Sequence, residues 1–270
     1  MRSRCLGDNV TIQNHKVKSL QEFIAIIDTV KKAFDHKDIW YRGHSSPKYK
    51  LEPTLHRNNQ YTSIETVKAV EKKMLSEYSF KLPSYDFGSR MENWDLLFLM
   101  QHYGMPTRML DWSSSPQIAL FFASLKAKPE TGAVVWCLNP AIWNKGLLHD
   151  ISGEEVIYTT NDSIIDPYHP MSDEHKRGSP LAIEGVINNP RISAQRGKFV
   201  IFGPQLKTME DQVNTCPIWK AGSKPLIKIS IAKSYVEKIH NQLRDFGVTY
   251  STIYPDLEGL ALEIKKKHGF

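Results

Sequence analysis

The sequence has few cysteines, and those it has do not form a disulfide or metal motif. Cys5, Cys137 and Cys216 are widely separated, odd in number and without C-x-x-C spacing. Histidines and cysteines do not cluster anywhere at the spacing of metal ligands. We therefore expect neither a disulfide framework nor a bound metal, and a reducing cytoplasm is the simplest setting for the chain.

Long apolar runs and internal repeats are also lacking. No run approaches the roughly 18 residues of a membrane-spanning helix, and residues 1–10 contain no hydrophobic signal-peptide core. Because low-complexity segments are absent as well, one compact unit is expected from the 270 residues. We predict a polar N-terminal segment at 1–18 followed by a single domain at 19–270, with no membrane partner.

Several signatures of enzyme families are missing. The chain has no P-loop G-x-x-x-x-G-K-[ST], no G-x-G-x-x-G after a strand, no G-x-S-x-G elbow and no H-E-x-x-H. Lys and Arg number 35 against 29 Asp and Glu, which gives a formal net charge of +6. This mild basicity is compatible with a phosphate-bearing ligand or a polyanionic partner, and it does not decide between them.

Apolar periodicity predicts that helices dominate the first half of the chain and strands the second. Helical spacing occurs at 19–34, 62–78 and 93–100, and again at 233–246. Runs of β-forming residues lie at 39–42, 133–138, 181–187, 198–202 and 226–231, whereas 139–180 is expected to be mostly irregular. The order favours an α+β fold with a helical N-terminal half packed on a mixed or antiparallel sheet.

The stretch 98–125 places two apolar runs around a dense set of polar residues. Gly104 and Pro106 force a turn after the first run, and Pro116 restarts a helix. We predict a helix-turn-helix arrangement, with Ser113 to Ser115 as candidate caps of the second helix. The polar cluster would then lie at a helix N-terminus, where backbone N–H groups favour an anion.

Four polar clusters carry candidate chemistry, at 41–44, 102–115, 191–197 and 256–259. Arg42, Arg108 and Arg191 lie among aromatic residues and glycines, where an arginine fork can grip a phosphate or a carboxylate. Taken alone, each arginine is also compatible with a structural salt bridge, and His102 with a satisfied histidine. The co-occurrence of these residues is what favours an anion site.

Two strings in these clusters resemble the FRG domain family, which is named for its [FY]-R-G motif. They are WYRG at 40–43 and HYGMPTRMLDWS at 102–113. RISAQRGKF at 191–199 and YPDLEGLA at 254–261 are similar to later parts of the same pattern, in the expected order. The resemblance spans about residues 20 to 265.

The resemblance implies an ADP-ribosyltransferase-like fold with NAD as substrate, in a bacterial toxin or phage-defence setting. Breaking the nicotinamide–ribose bond develops positive charge on the ribose, so the site needs a pyrophosphate clamp, a stacking ring and a carboxylate or amide. Arg42 is the expected clamp, Tyr103 or Trp112 the ring, and Ser113 the serine that precedes a helix. The residues expected to bind the cofactor are Arg42, Tyr41, His102, Tyr103, Arg108, Asp111 and Trp112, and those expected in catalysis are Ser113, Gln195 and Glu258.

Three functions remain open from the sequence. The first is an NAD-consuming enzyme, either a mono-ADP-ribosyltransferase with a protein or nucleic-acid acceptor or an NAD glycohydrolase. No E-x-E or Q-x-E pair is present, which keeps a non-catalytic nucleotide- or nucleic-acid-binding module as the alternative. The third is a protein-interaction domain in which Arg108 and Asp111 pair internally.

Overall fold

The computed structural model describes residues 12–35, 37–85, 93–127, 130–148, 157–158, 162–172, 178–185, 190–215 and 225–270. The strands are β1 Gln13–Val17, β2 Trp40–His44, β3 Met109–Ser113, β4 Ala133–Leu138, β5 Ile157–Tyr158, β6 Leu181–Glu184, β7 Gly197–Ile201 and β8 Leu226–Ile231. The helices are α1 Leu20–Ala33, α2 Ile64–Lys81, α3 Asn93–His102, α4 Pro116–Leu125, α5 Pro140–Leu147, α6 Asp162–Ile165, α7 Pro190–Ala194, α8 Met209–Thr215, α9 Val236–Asp245, α10 Tyr250–Ile253 and α11 Leu257–Lys267.

The described strands form one sheet in the order β1-β8-β4-β2-β3-β7-β6-β5. The two outer pairs, β1 with β8 and β5 with β6, are parallel, and the pairs between them are antiparallel. The α+β class and the mixed sheet are therefore confirmed. Helices dominate the first half of the chain as expected, with α1 to α4, but the expected predominance of strands in the second half is wrong, because α5 to α11 follow β4. The predicted polar segment at 1–18 contributes β1 to the sheet edge.

Helices cover both faces of the sheet. On one face, α1, α4 and α9 bury a cluster that includes Phe23, Phe121 and Ile239 against β4 and β8. On the other face, Trp143 of α5 and Met209 of α8 pack against Trp40 and its neighbours. Because successive side chains of a strand point to opposite faces, the central strands bury residues on both sides and read as continuous apolar runs. All six residues of β4 are buried for this reason.

The helix-turn-helix prediction for 98–125 is wrong in its middle part. A strand, β3, lies between α3 and α4, and it pairs over its full length with β7. The sequence pattern does not predict this five-residue strand, because residues on both of its faces are buried and it shows no clear alternation. Ser115 caps α4 by accepting from the Ile118 backbone, whereas Ser113 belongs to the strand.

Other sequence-derived elements agree with the structure except at their edges. Ser19 caps α1, at the start of the helical spacing found at 19–34, and the side chain of Glu22 accepts from the Lys18 backbone. The cap of α2 is Ser63, in a box with Thr66, so this helix begins two residues after the start of the helical spacing at 62–78. The stretch 139–180 contains α5, whose start is capped by Asn139, so it is less irregular than predicted. None of the helices in the described ranges has the length and apolar character to span a membrane.

Candidate functional site

A cleft of about 520 Å³ opens where β2 and β3 diverge. These antiparallel neighbours share a single register pair, Tyr41 with Ser113, so the sheet is split beyond that point. Arg42 fills the start of the split: one guanidinium nitrogen, Nη1, donates to the main-chain carbonyl of Asp111, and Nε donates to His44 Nε2 at 3.1 Å. Residues from β2, β3, α3, α4 and the α7–β7 connection line the cleft.

Arg42 remains a cation in this position. Burial lowers the pKa of its guanidinium from 12.5 to about 10, and the nearby Asp111 carboxylate opposes that shift. A group with this pKa is protonated at neutral pH. Because part of the guanidinium is desolvated, its attraction for an anion in the cleft exceeds that of an arginine in open water.

His44 is neutral and serves as an acceptor for Arg42. Burial, followed by the charges of Arg42 and Arg57, lowers the pKa of its ring to about 3. Since its Nε2 accepts from Arg42, the ring proton lies on Nδ1. His44 therefore orients the arginine without competing with it for an anion.

Gly43 is required by the close approach of α4 to β2, and not by a turn. The strand continues through Gly43 to His44, and Gly43 does not lie in the left-handed region. A Cβ atom at this position would overlap the carbonyl oxygen of Ala119 and lie 2.5 Å from the backbone nitrogen of Ala123. The backbone of α4 thus packs directly on β2, next to the cleft.

Asp111 presents the carboxylate of the cleft, and a chain of two side chains holds it. Gln101 Nε2 donates to Asp111 Oδ2 at 2.9 Å, and the hydroxyl of Thr107 donates to Gln101 Oε1. Thr107 Oγ1 also accepts from the backbone N–H of Met109, at 3.1 Å. Gln101 and Thr107 were not predicted as site residues, although both lie beside or inside the HYGMPTRMLDWS string.

Ser113 and Gln195 line the cleft but are engaged in structural hydrogen bonds. The hydroxyl of Ser113 donates to the backbone carbonyl of Gln195 at 2.7 Å and accepts from the Ser115 backbone at 3.0 Å. The amide nitrogen of Gln195 donates to the carbonyl of Ile253 at 3.3 Å. Together they join β3 to the turn before β7 and to α10.

Arg191 fastens the α10–α11 segment to the rim of the cleft. Its Nη2 donates to Asp256 Oδ2 at 2.7 Å and to Glu258 Oε2 at 2.9 Å, and its guanidinium lies 4.8 Å from the centre of the Tyr254 ring. The Gly259 backbone N–H and Arg191 lower the pKa of Asp256. Glu258, which was expected in catalysis, pairs with Arg191 and is not among the residues that line the cleft.

Of the four expected aromatic or imidazole contacts, Tyr41, His102 and Trp112 line the cleft and Tyr103 does not. His102 lines the cleft, and burial together with Arg191 lowers its pKa. Tyr103 is 57% exposed and does not line the cleft; its ring packs edge-on against His102. Trp112 borders the cleft but is only 3% exposed, because it packs in the apolar cluster with Trp40. An indole this buried cannot stack on a nicotinamide ring.

Arg108 is a structural residue and not a ligand-binding one. Arg108 and Glu71 are both 0% exposed and form an ion pair through Nε. The remaining guanidinium nitrogens donate to the carbonyls of Phe202 at 2.8 Å and Tyr168 at 2.6 Å. With its donors used inside the core, Arg108 cannot reach an anion, and the expectation that it pairs with Asp111 is also wrong.

No group of three or more His, Cys, Asp or Glu side chains that could hold a metal ion occurs within the described ranges. The positive charges at the cleft come instead from Arg42, Arg57, Lys126 and Arg191. A ligand held here by charge would therefore be held by arginine and lysine side chains.

The buried histidines make stability depend on pH. Burial lowers the pKa of His44 to about 3 and, with the charge of Arg108, that of His56 to about 4. Below their ordinary pKa of 6.5 the unfolded chain binds protons that the folded chain does not, so stability falls as the pH drops from about 6.5 to 4. We expect denaturant unfolding to show a loss of about 2 kcal/mol per histidine from pH 7 to pH 5.

The variants His44→Gln and His56→Gln test this pH dependence one histidine at a time. Each should reduce the difference in unfolding free energy between pH 7 and pH 5 by about 2 kcal/mol, whatever its effect at pH 7. An unchanged difference in both variants would show that other groups cause the acid sensitivity.

The protein is thus an α+β protein with a cationic cleft at a split in one mixed sheet. Residues 37–132 match the FRG domain, which supports the family resemblance of the WYRG and HYGMPTRMLDWS strings. The strings at 191–199 and 254–261 lie outside the matched residues, although Arg191, Gln195 and Tyr254 line the same cleft. Neither the curated proteins nor the solved structures contain a match to the chain.

Proposed function

We propose that the protein binds NAD in the cleft and acts as an ADP-ribosyltransferase-like enzyme, by mono-ADP-ribosyl transfer or NAD glycohydrolysis. The observation that carries this proposal is the convergence of Arg42, His102, Asp111 and Gln195 on one cleft. These residues come from three of the polar clusters of the sequence, at 41–44, 102–115 and 191–197, and wide separation would have favoured purely structural roles.

The size and lining of the cleft support a nucleotide ligand. Its volume of about 520 Å³ lies in the range of pockets for small molecules and cofactors. Arg42 and Arg57 can receive phosphate oxygens, since an arginine fork binds phosphate through two parallel hydrogen bonds. Tyr49, Phe122 and Tyr254 replace Tyr103 and Trp112 as the rings available to a base or nicotinamide.

The setting of the proposed activity follows from the family resemblance. We place the protein in a bacterial cytoplasm, as a toxin or phage-defence effector whose acceptor is a protein or a nucleic acid. A water molecule as acceptor would make the same chemistry an NAD glycohydrolase activity.

Calorimetric titration with NAD, combined with an assay of nicotinamide release, tests the proposal. Arg42→Lys keeps the charge but loses the fork, so we expect its dissociation constant for NAD to rise about tenfold or more. Arg244→Ala, which removes an exposed arginine of α9 that does not line the cleft, is the matched control and should bind like the wild type. A wild-type protein that neither binds NAD nor releases nicotinamide would refute the proposal.

A non-catalytic nucleotide- or nucleic-acid-binding module is the second candidate. It is favoured by the engagement of the Ser113 hydroxyl and the Gln195 amide nitrogen in backbone hydrogen bonds. For a single-stranded nucleic acid, affinity should fall by about 0.7 log units per log of salt for each phosphate contact. Tight NAD binding without nicotinamide release, or steep salt dependence with an oligonucleotide, would select this function.

A further inference from the structure

We propose that Asp111 is the catalytic carboxylate of the cleft and that Gln101 is its positioning residue, an assignment that rests on the function proposed above. Among the described residues that line the cleft, Asp111 is the one with an acidic side chain. Asp111 is exposed and lies in β3, in the part of this strand that is separated from β2. Its own main-chain carbonyl accepts a hydrogen bond from Arg42. The carboxylate and the proposed phosphate anchor are therefore coupled through the backbone of one residue.

The hydrogen-bond chain behind Asp111 has a defined direction. The hydroxyl of Thr107 has one proton, and it is donated to Gln101 Oε1. Because the carbonyl end of the amide is thereby occupied, its nitrogen faces Asp111 and donates to Oδ2. Thr107 is itself held by the Met109 backbone and is 0% exposed, so the chain is anchored to β3.

This arrangement leaves the second oxygen of Asp111 for a ligand. Within the described part of the chain, the hydrogen bonds of the carboxylate are confined to Oδ2, and the residue is exposed at the cleft. A carboxylate fixed at one oxygen and open at the other can accept a ribose hydroxyl or a proton without first reorganising. Gln101, which also lines the cleft, thus acts on the step through its hydrogen bond to Asp111.

The other candidates for this role are already engaged. Glu258 accepts from Arg191 and does not line the cleft. The hydroxyl of Ser113 donates to the Gln195 carbonyl, and Gln195 donates its amide proton to Ile253. Neither an alcohol nor an amide in these positions can take a proton from an incoming nucleophile as readily as a carboxylate can.

The step assigned to Asp111 is balanced in atoms and charge. The bond between the nicotinamide nitrogen and ribose C1′ breaks, and its electron pair goes to the nitrogen, so nicotinamide leaves uncharged. An O–H group of water or of an acceptor forms the new bond to C1′ and transfers its proton to Asp111 Oδ1. The negative carboxylate also stabilises the positive charge that develops on the ribose.

The test compares Asp111→Asn with Glu258→Gln in the full-length chain, using NAD as the ligand in binding and turnover assays. Asp111→Asn should bind NAD within about threefold of wild type but release nicotinamide about a hundredfold more slowly. Glu258→Gln should retain at least half of the turnover. Activity retained in Asp111→Asn would overturn this assignment, whatever the result for Glu258→Gln, while leaving the NAD proposal in place.

Gln101→Glu distinguishes positioning from a merely structural role. A second carboxylate beside Asp111 disfavours the ionised form, so the acid limb of the pH profile of turnover should move up by about one pH unit. Gln101→Leu should lower turnover more than NAD affinity. If the acid limb of the pH profile of turnover does not move in Gln101→Glu, Gln101 does not act on the catalytic carboxylate. A wild-type protein that binds no NAD would remove both the assignment and the function on which it rests.

Discussion

Replacing Gly43 by alanine is expected to cost about 3 kcal/mol or more of folding free energy, because the added methyl group meets backbone and not side chain. The Cβ atom would overlap the Ala119 carbonyl oxygen and lie 2.5 Å from the Ala123 nitrogen, both in α4. Backbone atoms in a helix cannot rotate away, so α4 must shift as a whole. That shift would loosen the buried cluster of α4, α1 and α9 and widen the cleft.

Gly197→Ala is the matched control for this substitution. Gly197 also lies in a strand at the cleft, but the atom nearest to its added Cβ, at 3.0 Å, is Cγ2 of Ile192, in a side chain that can adjust. Denaturant unfolding should show a loss below about 1.5 kcal/mol for Gly197→Ala. Equal losses of unfolding free energy in the two variants would mean that contact with the α4 backbone is not the reason why position 43 needs glycine. Trimming Ala119 to glycine should not rescue Gly43→Ala, because the clash is with main-chain atoms.

Breaking the buried Glu71–Arg108 pair should have a similarly large effect. Glu71→Met leaves the guanidinium of Arg108 in the core without its carboxylate, and Arg108→Met leaves the Glu71 carboxylate with the backbone N–H of residue 108 but without its cation. We expect each single variant to lose about 3 to 5 kcal/mol, since an uncompensated buried charge is strongly destabilising. Thermal and denaturant unfolding of both variants measures this loss.

The double variant Glu71→Met/Arg108→Met separates charge burial from packing. With neither charge present, its loss should be smaller than the sum of the two single losses by about 2 kcal/mol or more. It should not reach wild-type stability, because the carbonyls of Phe202 and Tyr168 lose their donor. Glu77→Ala, which breaks the exposed pair with Lys81 on the same helix, is the control and should cost under 1 kcal/mol. Additive losses in the double variant would contradict the buried-pair explanation.

Gly43 and Arg108 both belong to the strings that resemble the FRG domain, and both have structural reasons to be there. Gly43 follows Arg42 because α4 needs the space, and Arg108 connects β3 to α2 and to two core carbonyls. The strings therefore combine residues that shape the cleft with residues that face it. Motif membership alone does not separate the two groups.

Parts of the site were predictable from the sequence because their chemistry is local. Arg42 in the aromatic strand β2 and Asp111 beside Trp112 both line the cleft, as the anion-site hypothesis requires. Tyr103, Arg108 and Glu258 were assigned to the site by their neighbours in the sequence and lie outside the cleft. Their positions depend on which side of a turn, strand or helix the side chain occupies.

The placement of Glu71 shows most clearly why burial could not be read from the pattern. The sequence predicts an apolar face on α2 and a charged face opposite, yet the buried residues are Val67, Glu71 and Leu75. These three are spaced by four residues, so Glu71 occupies an apolar-face position as far as helical geometry is concerned. Only its partner Arg108, which is 37 positions away in sequence, makes that burial possible.

The sequence by itself determined the α+β class, the strands β2, β4, β6, β7 and β8, and the residue strings that build the cleft, because apolar periodicity, caps and turns act over a few residues. The tertiary structure decided the order of the strands and the split between β2 and β3. It also decided which polar groups form hydrogen bonds or ion pairs within the protein and which ones face the cleft. The partners are far apart in sequence: Arg42 donates to the carbonyl of Asp111, and Ser113 donates to that of Gln195. Among the described residues that line the cleft, Asp111 alone has a carboxylate, and one of its oxygens is open to the cleft.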